Sequence, residues 1–216
     1  MTNQRLSSIV LLLAATGIST TPVFSQPPAH QHTQASTEKG GTGSVRSANI
    51  KVPDVVVLDQ DNHPLNFYRD LVQGKTVAVN FIFTTCTTIC PPLTANFASV
   101  QRKMLKRGEK NLHLISVSVD PESDTPAKLK AYAEMFKAQP GWTFVTGSRS
   151  QLEKIWNAFG ITAGNKLDHS PTVAIGNDPR HQWTFASGLN SPEKLARVID
   201  SVLDNSGTEP AISAGK

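Results

Sequence analysis

The stretch at positions 77–83, VAVNFIF, constrains the fold more than any other part of the chain. Val, Ile and Phe suit a pleated, buried surface, and an apolar run of this length reads as a strand covered on both faces. Such a strand belongs in the middle of a sheet. It passes through Thr84, Thr85 and Cys86 into Cys90-Pro91-Pro92, after which Leu93, Phe97, Val100, Met104 and Leu105 recur at helical spacing until Gly108.

The alternation continues downstream. Residues 112–119, LHLISVSV, read as a second strand, and Thr125-Pro126 opens a helix carrying Leu129, Tyr132, Ala133 and Phe136. Residues 142–145 read as a short strand, and Leu152, Ile155, Trp156 and Phe159 mark a helix that Gly160 ends. Residues 172–175 and 183–185 read as a hairpin pair, and residues 192–203 as a last helix with Leu195, Val198, Ile199 and Val202 on one stripe. Upstream, residues 55–58 and 65–67 flank a turn, Asp59-Gln60-Asp61-Asn62-His63-Pro64. This pattern predicts an α/β fold: a sheet parallel in the main, mixed through antiparallel edge strands, and flanked by helices. The element order is that of a thioredoxin-like fold with an added N-terminal hairpin, although order alone leaves several α/β folds open.

Hydrophobic residues make up only 38% of the 216-residue chain, so part of it is expected to lie outside the core. Residues 1–25 read as an export signal: Arg5 is their one charge, and LSSIVLLLAATGI follows it. The alternative is an uncleaved anchor, which would keep the protein near a membrane; either way the remainder is expected outside the cytoplasm, periplasmic or on the outer face of the cytoplasmic membrane. Residues 26–47 have almost nothing to bury and read as a flexible leader, with His30 and His32 incidental to it. Residues 48–204 form the predicted domain, and residues 205–216 a loose tail. A net charge of +4 without a dense Lys/Arg run gives no reason to expect nucleic acid. Two cysteines in all exclude a disulfide scaffold and any four-cysteine metal site.

Those two cysteines, Cys86 and Cys90, stand at i and i+4 where the buried strand gives way to a helix. Chemistry in open α/β sheets gathers outside the carboxyl ends of strands. A helix start adds unpaired N–H groups and a positive dipole end, both of which favour thiolate. The two sulfurs can converge on one metal ion, act as a redox pair that closes a disulfide when oxidised, or form a plain stabilising disulfide. A third soft-site ligand is offered by Asp168-His169-Ser170-Pro171-Thr172, if the strand that follows lies beside residues 77–83. His169 is the candidate ligand and Asp168 a candidate support. Two thiolates with one imidazole suit copper: Cu(I), with Cu(II) admitted if an oxygen donor or tetragonal geometry completes the site.

Three blocks together resemble the Sco/SenC family. They are Phe-x-x-Thr-x-Cys-x-x-x-Cys-Pro at residues 81–91, Ser-Val-Asp-Pro-Glu-Ser-Asp-Thr-Pro at residues 118–126, and Asp168-His169. The resemblance spans about residues 49–204. It implies a thioredoxin fold, export, and copper held by Cys86, Cys90 and His169. It also implies a role in assembling the copper centre of cytochrome c oxidase, by delivering copper or by reducing that centre's cysteines. The expected partner is the copper-bearing subunit of the oxidase or another copper or thiol protein.

Read by itself, the second block makes Asp124 a helix cap before Pro126 and leaves Asp120 as a group that could tune the site. Pro171 departs from many copper-serving members; a proline there, if cis, would shape a groove for an extended thiol substrate beside Cys86 and favour a thiol–disulfide oxidoreductase. A peroxiredoxin-type cysteine expects a proline a few residues upstream, and none stands at that distance before Cys86. His63, His113 and His181 read as turn or structural histidines. Trp142, Trp156, Trp183, Met104 and Met135 read as core.

Overall fold

The run around Val79 becomes the middle of the sheet because both of its faces find cover. The computed structural model of the chain describes residues 46–161 and 171–203. Along these the order is β1 (Arg46–Ala48), β2 (Val56–Asp59), β3 (Pro64–Asn66), β4 (Thr76–Ile82), α1 (Cys90–Lys106), β5 (Leu112–Ser118), α2 (Pro126–Met135), β6 (Trp142–Thr146), α3 (Arg149–Ala158), β7 (Thr172–Asn177), β8 (Gln182–Ser187) and α4 (Pro192–Leu203). The strands form one sheet in the order β1-β8-β7-β4-β5-β6-β2-β3. The architecture is the expected thioredoxin-like one, with β2 and β3 as the added hairpin.

Parallel pairing is confined to β4, β5 and β6. The helices α1 and α2 carry the chain back between these strands, which forces them to run the same way. Every other pairing is antiparallel, so the sheet is more mixed than strand–helix alternation suggests.

Alternate residues of β4 feed two cores. Ala78 and Ile82 join Leu93 and Phe97 of α1, Leu129 of α2, Trp142, and Leu195 and Ile199 of α4. Val77, Val79 and Phe81 face Leu152, Ile155 and Trp156 of α3, with Phe159 and Trp183. Asn80, the one polar residue of VAVNFIF, is fully buried. Its carbonyl oxygen accepts from the Ser116 hydroxyl at 2.6 Å, and that hydroxyl accepts from the Trp142 indole at 2.9 Å.

Several details depart from the sequence reading. Arg46 and Ser47, expected in the leader, pair with Phe185 and Thr184 of β8. Phe67 does not extend β3 but starts a wide helical turn, Phe67–Val72, that buries Phe67, Leu71 and Val72. Met135 is 71% exposed, because the buried stripe of α2 is Leu129, Tyr132 and Ala133 and Met135 ends the helix off that stripe. Leu105 is likewise exposed, while Met104 beside it is buried. The three tryptophans are buried as expected. Residues 1–45, with His30 and His32, and residues 204–216 lie outside the described residues. Among the described residues no helix is long and apolar enough to cross a membrane.

Gly176 of β7 sits opposite Trp183 of β8, and a Cβ on it would meet the Trp183 ring at 2.6 Å. The ring is buried and cannot swing away cheaply. Gly176→Ala is expected to cost about 1–3 kcal/mol, as overpacking does, measured by urea unfolding.

Candidate thiol and metal site

The site is built at the carboxyl end of β4. Phe83, Thr84, Thr85 and Cys86 form a turn closed by the Cys86 amide, which donates to the Phe83 carbonyl at 3.1 Å. Residues 87–89 cross the surface, and α1 begins at Cys90. Helix starts leave amides without partners, and a side-chain oxygen usually caps them. Here Ile89 stands at the cap with no such oxygen, and Pro91 and Pro92 carry no amide hydrogen. The Cys90 amide donates to the Cys86 sulfur at 3.3 Å. The sulfur of Cys86 therefore serves as the acceptor at the start of α1.

This arrangement separates the two thiols. Burial pushes the Cys86 thiol up, but the Cys90 thiol and the backbone amides of Cys90, Thr88 and Ile89 donate to its sulfur and bring the pKa below the ordinary cysteine value. Cys90 is pushed up to about 12, first by burial, then by donating its own proton to Cys86 and by the negative charges of Cys86 and Asp124; the Phe83 amide opposes this only in part. Cys86 is 7% exposed and Cys90 1%. Chemically the outer sulfur gives up its proton more readily than an ordinary cysteine and the inner sulfur less readily. They are also a pair of adjacent soft donors. The two are unbonded here, so a metal ion or an oxidant finds both free.

The return of β7 beside β4 meets the condition that the sequence set for His169. Asn80 pairs with Val173, so Thr172 and Pro171 lie at the same end of the sheet as Cys86. Pro171 is half-buried, and its carbonyl accepts from the Gly188 amide at 2.6 Å. Asp168, His169 and Ser170, and with Ser170 the peptide bond into Pro171, lie outside the described residues. Among the described residues no three His, Cys, Asp or Glu side chains gather as metal ligands. The two sulfurs fit a soft ion, and a third donor of that kind is not gathered with them among the described residues.

Asp124 of the second block is placed differently from its sequence reading. The cap of α2 is Thr125, whose hydroxyl accepts from the Lys128 amide at 3.4 Å, and not Asp124. Asp124 is fully buried and accepts from Thr84 and Ser118. Thr84 is the threonine of the first block, but the sequence assigns it no partner. Positions 84 and 124 share no linear spacing; they meet because β4 and β5 are neighbours. Asp120 is buried at the exit of β5, on the same side of the sheet's end. His63 is exposed beside Asp59, His113 half-buried in β5, and His181 turns the β7–β8 hairpin at the far end of β7.

Comparison with known proteins accords with this geometry. A family profile described as SCO1/SenC matches residues 53–204. A protein of Bacillus subtilis (strain 168) called a SCO1 protein homolog is 37% identical over 117 residues, which cover 53% of this chain and 59% of that protein. A protein of Stutzerimonas stutzeri, provisionally named as copper-binding, is 28% identical over 166 residues, or 71% of this chain and 78% of its own. The solved structure of BsSco, described through a disulfide switch and as a member of the Sco family of cytochrome c oxidase assembly proteins, is 27% identical, with a TM-score of 0.61 over 73% of this chain and 95% of that one.

The thiol asymmetry predicts selective chemistry. Iodoacetamide at pH 7.5 is expected to label Cys86 and leave Cys90 unlabelled in the native reduced chain, read by peptide mass spectrometry. Cys90 also links folding to alkaline pH. Its folded pKa of about 12 lies above the unfolded value, so the folded state holds a proton that the unfolded state has lost. Stability of the reduced chain should therefore fall as pH rises above about 9, and Cys90→Ala should flatten that fall in urea unfolding.

Proposed function

Because the chain belongs to the SCO1/SenC family, we propose that it is a copper-binding, thioredoxin-like assembly factor of the cell envelope, which delivers copper to the copper centre of cytochrome c oxidase or reduces that centre's cysteines. The observation that carries the proposal is the pairing of Cys86 and Cys90 at the start of α1, at the sheet end to which the chain returns after His169. Copper is the cargo. Cys86, Cys90 and His169 would hold it as Cu(I), two soft sulfurs and one imidazole, which is a donor set that suits this ion and leaves zinc without its fourth ligand. Asp168, Asp120 and Pro171 would border the site. The relative provisionally named as copper-binding and the assembly role attached to the family of BsSco support this reading. The acceptor would be the copper-bearing subunit of the oxidase. Residues 1–25 would direct export, so that the site meets this partner outside the cytoplasm.

A second reading, thiol–disulfide exchange, is favoured by the difference between the two thiols. The Cys86 thiolate would attack a partner disulfide, form a mixed disulfide and release one partner thiolate. Cys90, giving up its proton, would attack the Cys86 sulfur and release the second. The partner gains two electrons and the Cys86–Cys90 pair loses them.

An anaerobic Cu(I) competition titration of the reduced chain, run beside His169→Ala, separates the two. One copper per chain, held at least about tenfold less tightly by the variant, as loss of a ligand should cost at a metal site, supports the copper reading. Weak binding that is alike in both proteins overturns it; the next experiment is then Cys90→Ala, which should trap a partner through Cys86.

A further inference from the structure

The second block holds an aspartate that the sheet, and not helix α2, has taken up. Oδ1 of Asp124 accepts from both the amide and the hydroxyl of Thr84, at 3.0 and 2.6 Å. Oδ2 accepts from the Ser118 hydroxyl at 2.6 Å. The Asp124 amide donates to the Asp120 carbonyl at 2.8 Å, and the Ser118 hydroxyl in turn accepts from the Asp120 amide at 3.0 Å. One carboxylate thus ties together the exit of β4, the last residue of β5 and the loop that leads to α2.

Its grip falls on the turn that carries the outer cysteine. Thr84 is the second residue of the turn whose fourth is Cys86. Holding Thr84 by both of its donors fixes the peptide plane between Phe83 and Thr84 and fixes the Thr84 rotamer. The turn closes from there onto the Cys86 amide, and the Cys86 sulfur then meets the Cys90 amide at 3.3 Å. A carboxylate with no exposure is costly unless hydrogen bonds satisfy it, and hydrogen bonds to a carboxylate are the stronger kind. Capping does not explain its presence, since Thr125 caps α2.

We propose that Asp124 is a positioning residue: through Thr84 it holds the turn that sets Cys86 against Cys90, and so fixes how readily the two sulfurs act on each other. The proposal rests on Cys86 and Cys90 being the working pair and does not require copper.

The test is the equilibrium of the full-length chain with a glutathione redox buffer. The Cys86 and Cys90 thiols pass two electrons and two protons to glutathione disulfide, forming one Cys86–Cys90 bond and two glutathione thiols. A pair held in register has a high effective concentration and oxidises readily. Asp124→Ala should lower the equilibrium constant about tenfold, which for this two-electron couple raises the potential by about 30 mV. Asp124→Asn keeps an oxygen that accepts from both Thr84 donors and should stay within about threefold of the parent, because the two hydrogen bonds to Thr84 survive even as the one from Ser118 is lost. Thr84→Val removes one donor at nearly constant volume, should fall between the two, and carries the test if Asp124→Ala does not fold. A contact that served the fold alone would lower the melting temperatures of the oxidised and reduced forms alike and leave the equilibrium in place. Parent-like constants in Asp124→Ala and Thr84→Val overturn the proposal. So does Asp124→Asn matching Asp124→Ala, which would make charge the agent. The copper titration reads the proposed function separately, so either can fail while the other holds.

Discussion

Burial of β4 on both faces is the constraint from which the site follows. A strand with no solvent face must have a sheet neighbour on each side and a helical layer above and below. Here the neighbours are β5, parallel through the α1 crossover, and β7, antiparallel after α3. The parallel neighbour brings the exit of β5, with Ser118, Asp120 and Asp124, to the carboxyl end of β4. The antiparallel neighbour brings its beginning, Pro171-Thr172, to that same end. Two segments distant in sequence therefore reach the sheet end that carries the loop of Cys86, neither of them a site alone.

Within that loop the helix start does chemical work. Two prolines and an isoleucine cap leave α1 short of both donors and acceptors in its first turn. The amide that remains points at a sulfur. This makes the sulfur part of the helix boundary, so the geometry of Cys86 is set by backbone and not by a flexible side chain. It also accounts for the division of roles: the sulfur outside the helix accepts amides, and the sulfur on its first residue belongs to the more deeply buried cysteine of the core that also holds Leu93 and Ile82.

Much of this was legible in the sequence where local patterns decide. The run at 77–83, the prolines after Cys90, the Thr125-Pro126 helix start and the last helix all have short-range causes, and each was placed to within a few residues. What was not legible depends on contacts across the sheet. Asp124 looked like a cap because its neighbours in sequence are a threonine and a proline; its true partners, Thr84 and Ser118, are supplied by strand pairing. Met135 and Leu105 looked like core because apolar spacing marks candidate faces, but the packed neighbours decide which residues are covered. The antiparallel hairpin of β7 and β8 was legible, but that β7 lies beside β4 was legible only as a condition on His169, since strand order depends on the route of the chain.

On the copper reading, the inner thiol also bears on which ion the site accepts. A metal bound by both sulfurs must displace the proton of Cys90, which is held up to about pH 12. That requirement lowers the apparent affinity for every ion, but unequally. Soft ions form strong bonds to thiolate and offset the lost proton, whereas hard ions that prefer oxygen gain little from either sulfur. A buried, protonated Cys90 thus favours soft cargo before any third ligand is counted. On the exchange reading, a partner seated on Cys86 would remove that sulfur's charge and its role as acceptor, two of the causes that hold the Cys90 proton, while burial, the largest, would remain. The copper reading and the exchange reading would therefore draw on one property of the fold, the separation of two sulfurs four residues apart into one that accepts amides and one that is more deeply buried.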